Sequence, residues 1–166
     1  MADEPPPPAP RARPAVEATI DGNRLELIET GEARLKAILA LIEGARTSLR
    51  LLFYMFNSDD SGHAVRDALI AAAKRGVRVR LLLDGYGCSS ADPSFFQPLE
   101  DEERGDFCMF HPSYGRRYLV RNHQKLAIAD DRIALIGGAN IHDSYLGDDG
   151  PRHWRDLWLK LEGPAI

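Results

Sequence analysis

The chain has 166 residues, 44% hydrophobic and 28% charged, with a formal net charge of -4. This length and apolar content suit one domain with a packed core. The acidic balance excludes a protein that grips nucleic acid through overall positive charge, although a local basic patch stays compatible with it.

Residues 1–18 carry Pro5-Pro6-Pro7-Pro8 and no apolar run. They are expected to form an extended, disordered tail, neither a secretory signal nor a membrane span, ahead of one domain over 19–166. No later stretch reaches the roughly 20 apolar residues that a spanning helix needs, so a soluble or peripheral protein is expected. Cys88 and Cys108 lack metal-like spacing and read as free thiols, which favours a reducing compartment.

From Gly31 to Arg46, the residues Leu35, Ile38, Leu39, Ile42 and Ala45 recur at helical spacing. Leu49 to Phe56 is a nearly continuous apolar run, which suits a strand covered on both faces. Asp59-Asp60-Ser61 supplies an N-cap for a second helix, closed by Gly76 after Lys74-Arg75. Val77 to Leu83 is another buried strand. This alternation predicts an α/β fold with a mixed, largely parallel sheet flanked by helices. A short helix is expected over 93–104 and a strand over 107–110. Arg116, Arg117 and Arg121 then precede the most informative stretch, and their guanidinium groups are candidates to contact a phosphate head group.

Asn122 to Asp130 and Asp131 to Asn140 read as two strands joined by a tight turn at Asp130-Asp131. Side chains alternate along a strand, so His123 and Lys125 share one face and Leu126 and Ile128 the other. With a two-residue turn, Ala129 opposes Arg132, Lys125 opposes Ile136, His123 opposes Gly138 and Arg121 opposes Asn140. One face then presents an imidazole, an ammonium and a carboxamide around space cleared by Gly138, a pocket for a tetrahedral anion. Asp130 lies roughly 23 Å along the strand from His123 at about 3.3 Å per residue, so it is expected to shape the turn. Downstream, 141–146 is expected to turn back over the site. Arg155 to Leu161 reads as a last strand, with Asp156, Trp158 and Lys160 on one face.

The string His-x-Lys-x4-Asp, then six residues, then Gly-Gly-x-Asn is formed by His123, Lys125, Asp130, Gly137, Gly138 and Asn140. It resembles the signature of the phospholipase D superfamily. The resemblance implies that His123 attacks phosphorus to give a phosphohistidine, that Lys125 and Asn140 bind the phosphoryl oxygens, and that no metal or cofactor is required. It further implies that Asp156 hydrogen-bonds the far nitrogen of His123. Phe53-Tyr54-Met55-Phe56, the helix containing 68–73, Arg75-Gly76-Val77-Arg78-Val79 and Leu83-Asp84-Gly85 look like the first lobe of bacterial cardiolipin synthases. A phospholipid substrate and a cytoplasmic location peripheral to the inner membrane are implied, with nucleic acid a less favoured substrate.

In that family a second histidine, from a second copy of the motif, protonates the leaving alkoxide. His63, His111, His142 and His153 are not followed by lysine two residues on, so this chain carries half of the expected site. The other half is expected from a second lobe of a longer chain, which is the favoured reading because no closing helix follows the last strand. The alternatives are a second copy of this chain, as in homodimeric single-motif nucleases, and a non-catalytic lobe. The isolated monomer is therefore expected not to turn over an ordinary phosphodiester at an enzymatic rate, which light scattering combined with a turnover assay checks.

Overall fold

The computed structural model describes residues 16–88, 92–110, 121–148 and 153–166. Most of the tail, along with Arg116 and Arg117, lies outside the described residues. Residues 16–18, assigned to the tail from sequence, instead begin the first strand.

In chain order the elements are β1 (Val16–Ile20), β2 (Asn23–Ile28), α1 (Gly31–Gly44), β3 (Ser48–Phe53), α2 (Asp60–Lys74) and β4 (Arg78–Asp84). There follow a 3-10 turn (Pro93–Phe96) running into α3 (Gln97–Glu100), then β5 (Gly105–Phe110), β6 (Leu126–Ala129), β7 (Ile133–Gly137), α4 (Asp143–Leu146) and β8 (Trp158–Glu162). The β1–β2 hairpin was not anticipated. It turns at Asp21-Gly22, both at positive φ (50° and 78°), the geometry that an Asp-Gly pair adopts in a two-residue hairpin loop.

The eight strands form one sheet in the order β1-β2-β8-β7-β6-β3-β4-β5. The expected mixed sheet flanked by helices is present, but its parallel part is limited to β3, β4 and β5; every other pairing is antiparallel. The β3-α2-β4 segment and the β4-to-β5 connection through the 3-10 turn and α3 carry the crossovers that parallel pairing requires, whereas β6 and β7 are joined by a tight turn. The core packs α1 and α2 on one face, where Ile38, Ile42, Val65 and Leu69 meet Leu49, Leu51, Phe53, Val79, Leu81 and Leu83. The run 49–56 is thus fully buried on one face only, with Arg50 exposed on the other. Among the described residues no helix is long and apolar enough to cross a membrane.

The β6–β7 turn differs from the expected one by a residue. Ala129 pairs with Ile133 and Leu126 with Ile136, with Asp130, Asp131 and Arg132 in the turn. Asp130 and Asp131 adopt φ of 54° and 52°, and the Arg132 N–H donates to Ala129 O at 3.0 Å. The reason lies outside the hairpin. The Asp130 carboxylate accepts from the backbone N–H groups of Arg46, Thr47 and Ser48 and from the Thr47 hydroxyl, all at 2.8–2.9 Å, so the turn is bolted to the start of β3.

Those hydrogen bonds hold the Asp130 carboxyl at about 2, below its ordinary 3.8, against the opposing pull of burial. Its stabilisation is complete above its unfolded value and is lost as pH falls toward about 2. Asp130→Ala is expected to lower unfolding free energy by about 2–3 kcal/mol at neutral pH, with the deficit shrinking on acidification, measured by urea denaturation.

Candidate active site

Five strand ends meet at one edge of the sheet. Leu52 pairs with Leu126, Leu126 with Ile136, and Gly137 with Trp158, so the C-terminal ends of β3, β4 and β7 lie beside the N-terminal ends of β6 and β8. His123 and Lys125 sit just before β6, in the lead-in to it. Lys125 continues the helix-facing parity of Ala127 and Ala129 and is 3% exposed, while His123 is exposed. Because of the register, Lys125 lies across from Gly137, whose N–H donates to Lys125 O at 3.3 Å.

The Lys125 ammonium donates to His123 O at 2.7 Å and stands 3.0 Å from His123 Nδ1. Burial pushes its pKa below 10.5, and the nearby Asp156 carboxylate partly opposes that shift. Tyr54, next after β3, forms a wall: its ring centroid is 4.6 Å from that of His123 and 5.3 Å from Lys125 Nζ. Burial, reinforced by Asp84, raises the Tyr54 phenol above its ordinary value.

Asn140, also 3% exposed, reaches the same end of the sheet by a different route from strand pairing. The segment after Gly138 crosses to β3, where Met55 N–H donates to Asn140 Oδ1 at 3.0 Å and Ile141 N–H donates to Met55 O. Asn140 Oδ1 is thus committed to the backbone, and its Nδ2 is the atom left to donate to an anion.

Asp156 precedes β8, and its carboxylate lies over Gly138. A Cβ built on Gly138 would stand 2.5 Å and 2.7 Å from the two carboxylate oxygens, and one built on Gly137 would meet Leu157 O at 2.1 Å. Both glycines serve close approach of β8 rather than a turn. Asp156 Oδ1 accepts from Leu157 N–H at 2.7 Å. Among the described contacts it makes no hydrogen bond to His123, whose Nδ1 faces Lys125.

Three site-shaping residues were missed from sequence. Arg34, 1% exposed in α1, donates to the carbonyls of Glu29, Tyr145 and Asp156 at 2.6–3.0 Å and so ties the segment carrying Asp156 to the helix. Burial lowers its pKa, and Asp156 and Asp148 oppose that shift. Asp84, 1% exposed, accepts from Tyr86 and Gly87 N–H through one oxygen and from Asn122 N–H, one residue before His123, through the other. Tyr54 is the third. A charged residue inside a helical pattern and a carboxylate at a strand end both read as surface, and no motif spacing marks them. Arg121 lies near Asn122 with its guanidinium 5.1 Å from the Tyr86 ring centroid.

An exposed imidazole backed by a buried ammonium, at the rim of an α/β sheet, defines a lobe suited to binding a phosphoryl group. The family model for the phospholipase D-like domain of cardiolipin synthases matches residues 38–160, and the chain belongs to that family. Cardiolipin synthase 1 of Bacillus cereus is 38% identical over 151 residues, covering 88% of this chain and 30% of that protein. This chain therefore spans about a third of that relative's length. Among solved structures, NucT from Helicobacter pylori superposes with a TM-score of 0.65 at 21% identity, covering 84% of this chain and 86% of that one. Phosphatidylserine synthase of Haemophilus influenzae superposes at 0.66 with 18% identity, covering 90% of this chain and 35% of that one. At these identities the two structures speak to the fold.

Exchanging the Lys125 ammonium for an apolar chain of similar length removes the cation and its desolvation cost but leaves His123 O and the Asp156 carboxylate without it. Lys125→Met is expected to keep its circular dichroism spectrum and to bind inorganic phosphate about 10–100-fold more weakly, measured by calorimetry. In the unsubstituted chain, phosphate binding should fall as pH rises, with a midpoint below the 10.5 of an ordinary lysine, because the charged form is lost at the lowered pKa. A midpoint at or above that value would rule out Lys125 as the anion's partner.

Proposed function

We propose that this chain supplies one half of a phospholipid phosphatidyltransfer site working through a phosphohistidine on His123. The observation that supports it most is the buried Lys125 ammonium held 3.0 Å from Nδ1 of an exposed imidazole. Family membership and the 38% identity to a cardiolipin synthase favour a phospholipid over a nucleic acid diester.

In this reading Nε2 of His123 attacks phosphorus and the bond to the leaving alcohol breaks. An attacking Nε2 needs the ring proton on Nδ1, where an ammonium neighbour is unfavourable. Arrival of the phosphodiester anion draws Lys125 Nζ from Nδ1 toward a phosphoryl oxygen, and Asn140 Nδ2 donates to another. The Asp156 carboxylate stabilises positive charge developing on the imidazole. Arg116, Arg117 and Arg121 are candidate head-group contacts.

A second His-x-Lys motif, from another lobe or another copy, protonates the departing alkoxide and then deprotonates the acceptor. A glycerol-containing acceptor yields cardiolipin, and water yields phosphatidic acid. This arrangement suits a protein working at the cytoplasmic face of the membrane that holds its substrate.

A nitrophenyl leaving group departs without a proton, so the half-site alone can be tested. The nitrophenyl ester of phosphatidic acid is expected to transfer its phosphatidyl group to residue 123 in the isolated chain with release of nitrophenolate, seen as an acid-labile adduct by mass spectrometry and absent in His123→Asn. An adduct with nitrophenyl thymidine phosphate and none with the lipid ester would instead favour a nuclease-type diesterase. No adduct with either ester would defeat the phosphohistidine proposal.

A further inference from the structure

Among the described residues, the exposed large apolar side chains are Val16, Ile20, Tyr86, Ile136, Trp154 and Leu157. Three of them frame the mouth of the site. Tyr86, 52% exposed, donates its N–H to the same Asp84 carboxylate that accepts from Asn122, so it is fixed on one side of His123. Leu157, 49% exposed, is fixed on the other, its carbonyl accepting from Gly138 N–H beside the Asp156 carboxylate. Trp154, 61% exposed, is held by its N–H to Ser144 O and by stacking on Tyr145 at 5.9 Å with a 13° interplanar angle. Hydrogen bonds thus fix the backbone of all three residues, and the Tyr145 ring backs the Trp154 indole.

A cation accompanies them: Arg155 is exposed between Trp154 and Asp156, while the Arg121 guanidinium, its two Nη atoms buried, packs 5.1 Å from the Tyr86 ring centroid and backs that ring. Tryptophan and tyrosine rings favour the head-group level of a bilayer, where an apolar body meets acyl chain and a polar edge meets water, and arginine there pairs with lipid phosphate. The chain as a whole is acidic, so attraction to an anionic surface has to come from such a local group.

We propose that Tyr86, Trp154 and Leu157, with Arg155, form an interfacial rim that seats the mouth of the site on an anionic phospholipid bilayer. The inference rests on the lipid reading above and adds the surface through which the site meets its substrate. A two-fold contact between copies through the same rim would bring Arg155 of one copy toward Arg155 of the other, whereas an anionic bilayer is complementary to it, which favours the bilayer as occupant.

The chain has two tryptophans, and the second, Trp158, is 1% exposed. Emission changes on docking therefore report Trp154. Vesicles of phosphatidylcholine containing phosphatidylglycerol are expected to shift the emission to the blue and to allow quenching by brominated lipid, with no shift on phosphatidylcholine alone. Trp154→Phe should abolish the emission change. The double variant Trp154→Ala with Leu157→Ser should float with these vesicles about tenfold less while keeping its circular dichroism spectrum. No blue shift, flotation unchanged in the double variant, or a Trp154 shift that follows protein concentration without vesicles would overturn the proposal. The last result would give the rim to a second copy. Flotation involves no turnover, so the two readings fail separately. A chain that floats but never forms the adduct on His123 loses the function, and a chain that forms the adduct but does not float loses only the rim.

Discussion

The site depends on keeping an ammonium charged while it is almost wholly out of water. Desolvating such an ion costs several kcal/mol, and the lowered pKa of Lys125 records that cost. The compensation is local: His123 O and Nδ1 take two of its hydrogen bonds, the Tyr54 ring lies 5.3 Å away, and the charge of Asp156 opposes desolvation. A cation bound this way has one donor left and little water to compete for it. An arriving phosphoryl oxygen meets a charge that is not already spent on solvent.

Such a charge is useful only if its neighbours stay in register, and three carboxylate or guanidinium braces see to that. Asp130 anchors the far end of the hairpin to the start of β3. Asp84 holds the backbone immediately before His123, and Arg34 holds the backbone of Asp156. Each brace grips backbone groups. The braces leave the motif side chains unspent, and positional precision comes from satisfied polar groups farther out, of which Arg34 and Asp84 are buried.

Membership in the cardiolipin synthase phospholipase D-like family agrees with this division of labour. The relative from Bacillus cereus is about three times longer than the portion matched here, while NucT is matched over 86% of its length. The chain thus superposes on most of a short protein and aligns in sequence with about a third of a long one.

The pairing of His123 with Lys125 was legible from the linear pattern alone. Spacing along an extended chain places His123 and Lys125 on one face, and the helices α1 and α2 with their caps follow from apolar periodicity and from Asp59 and Gly76. Three things were decided only by tertiary contact. The hairpin register moved by one residue because Asp130 found its partners across the sheet in Arg46, Thr47 and Ser48. Asn140 reached the site through β3 rather than through pairing with β6. Arg34 and Asp84 became interior braces although their residue types read as surface. In each case the deciding energy comes from hydrogen bonds between residues far apart in the chain, and local propensity and periodicity carry no information about such partners.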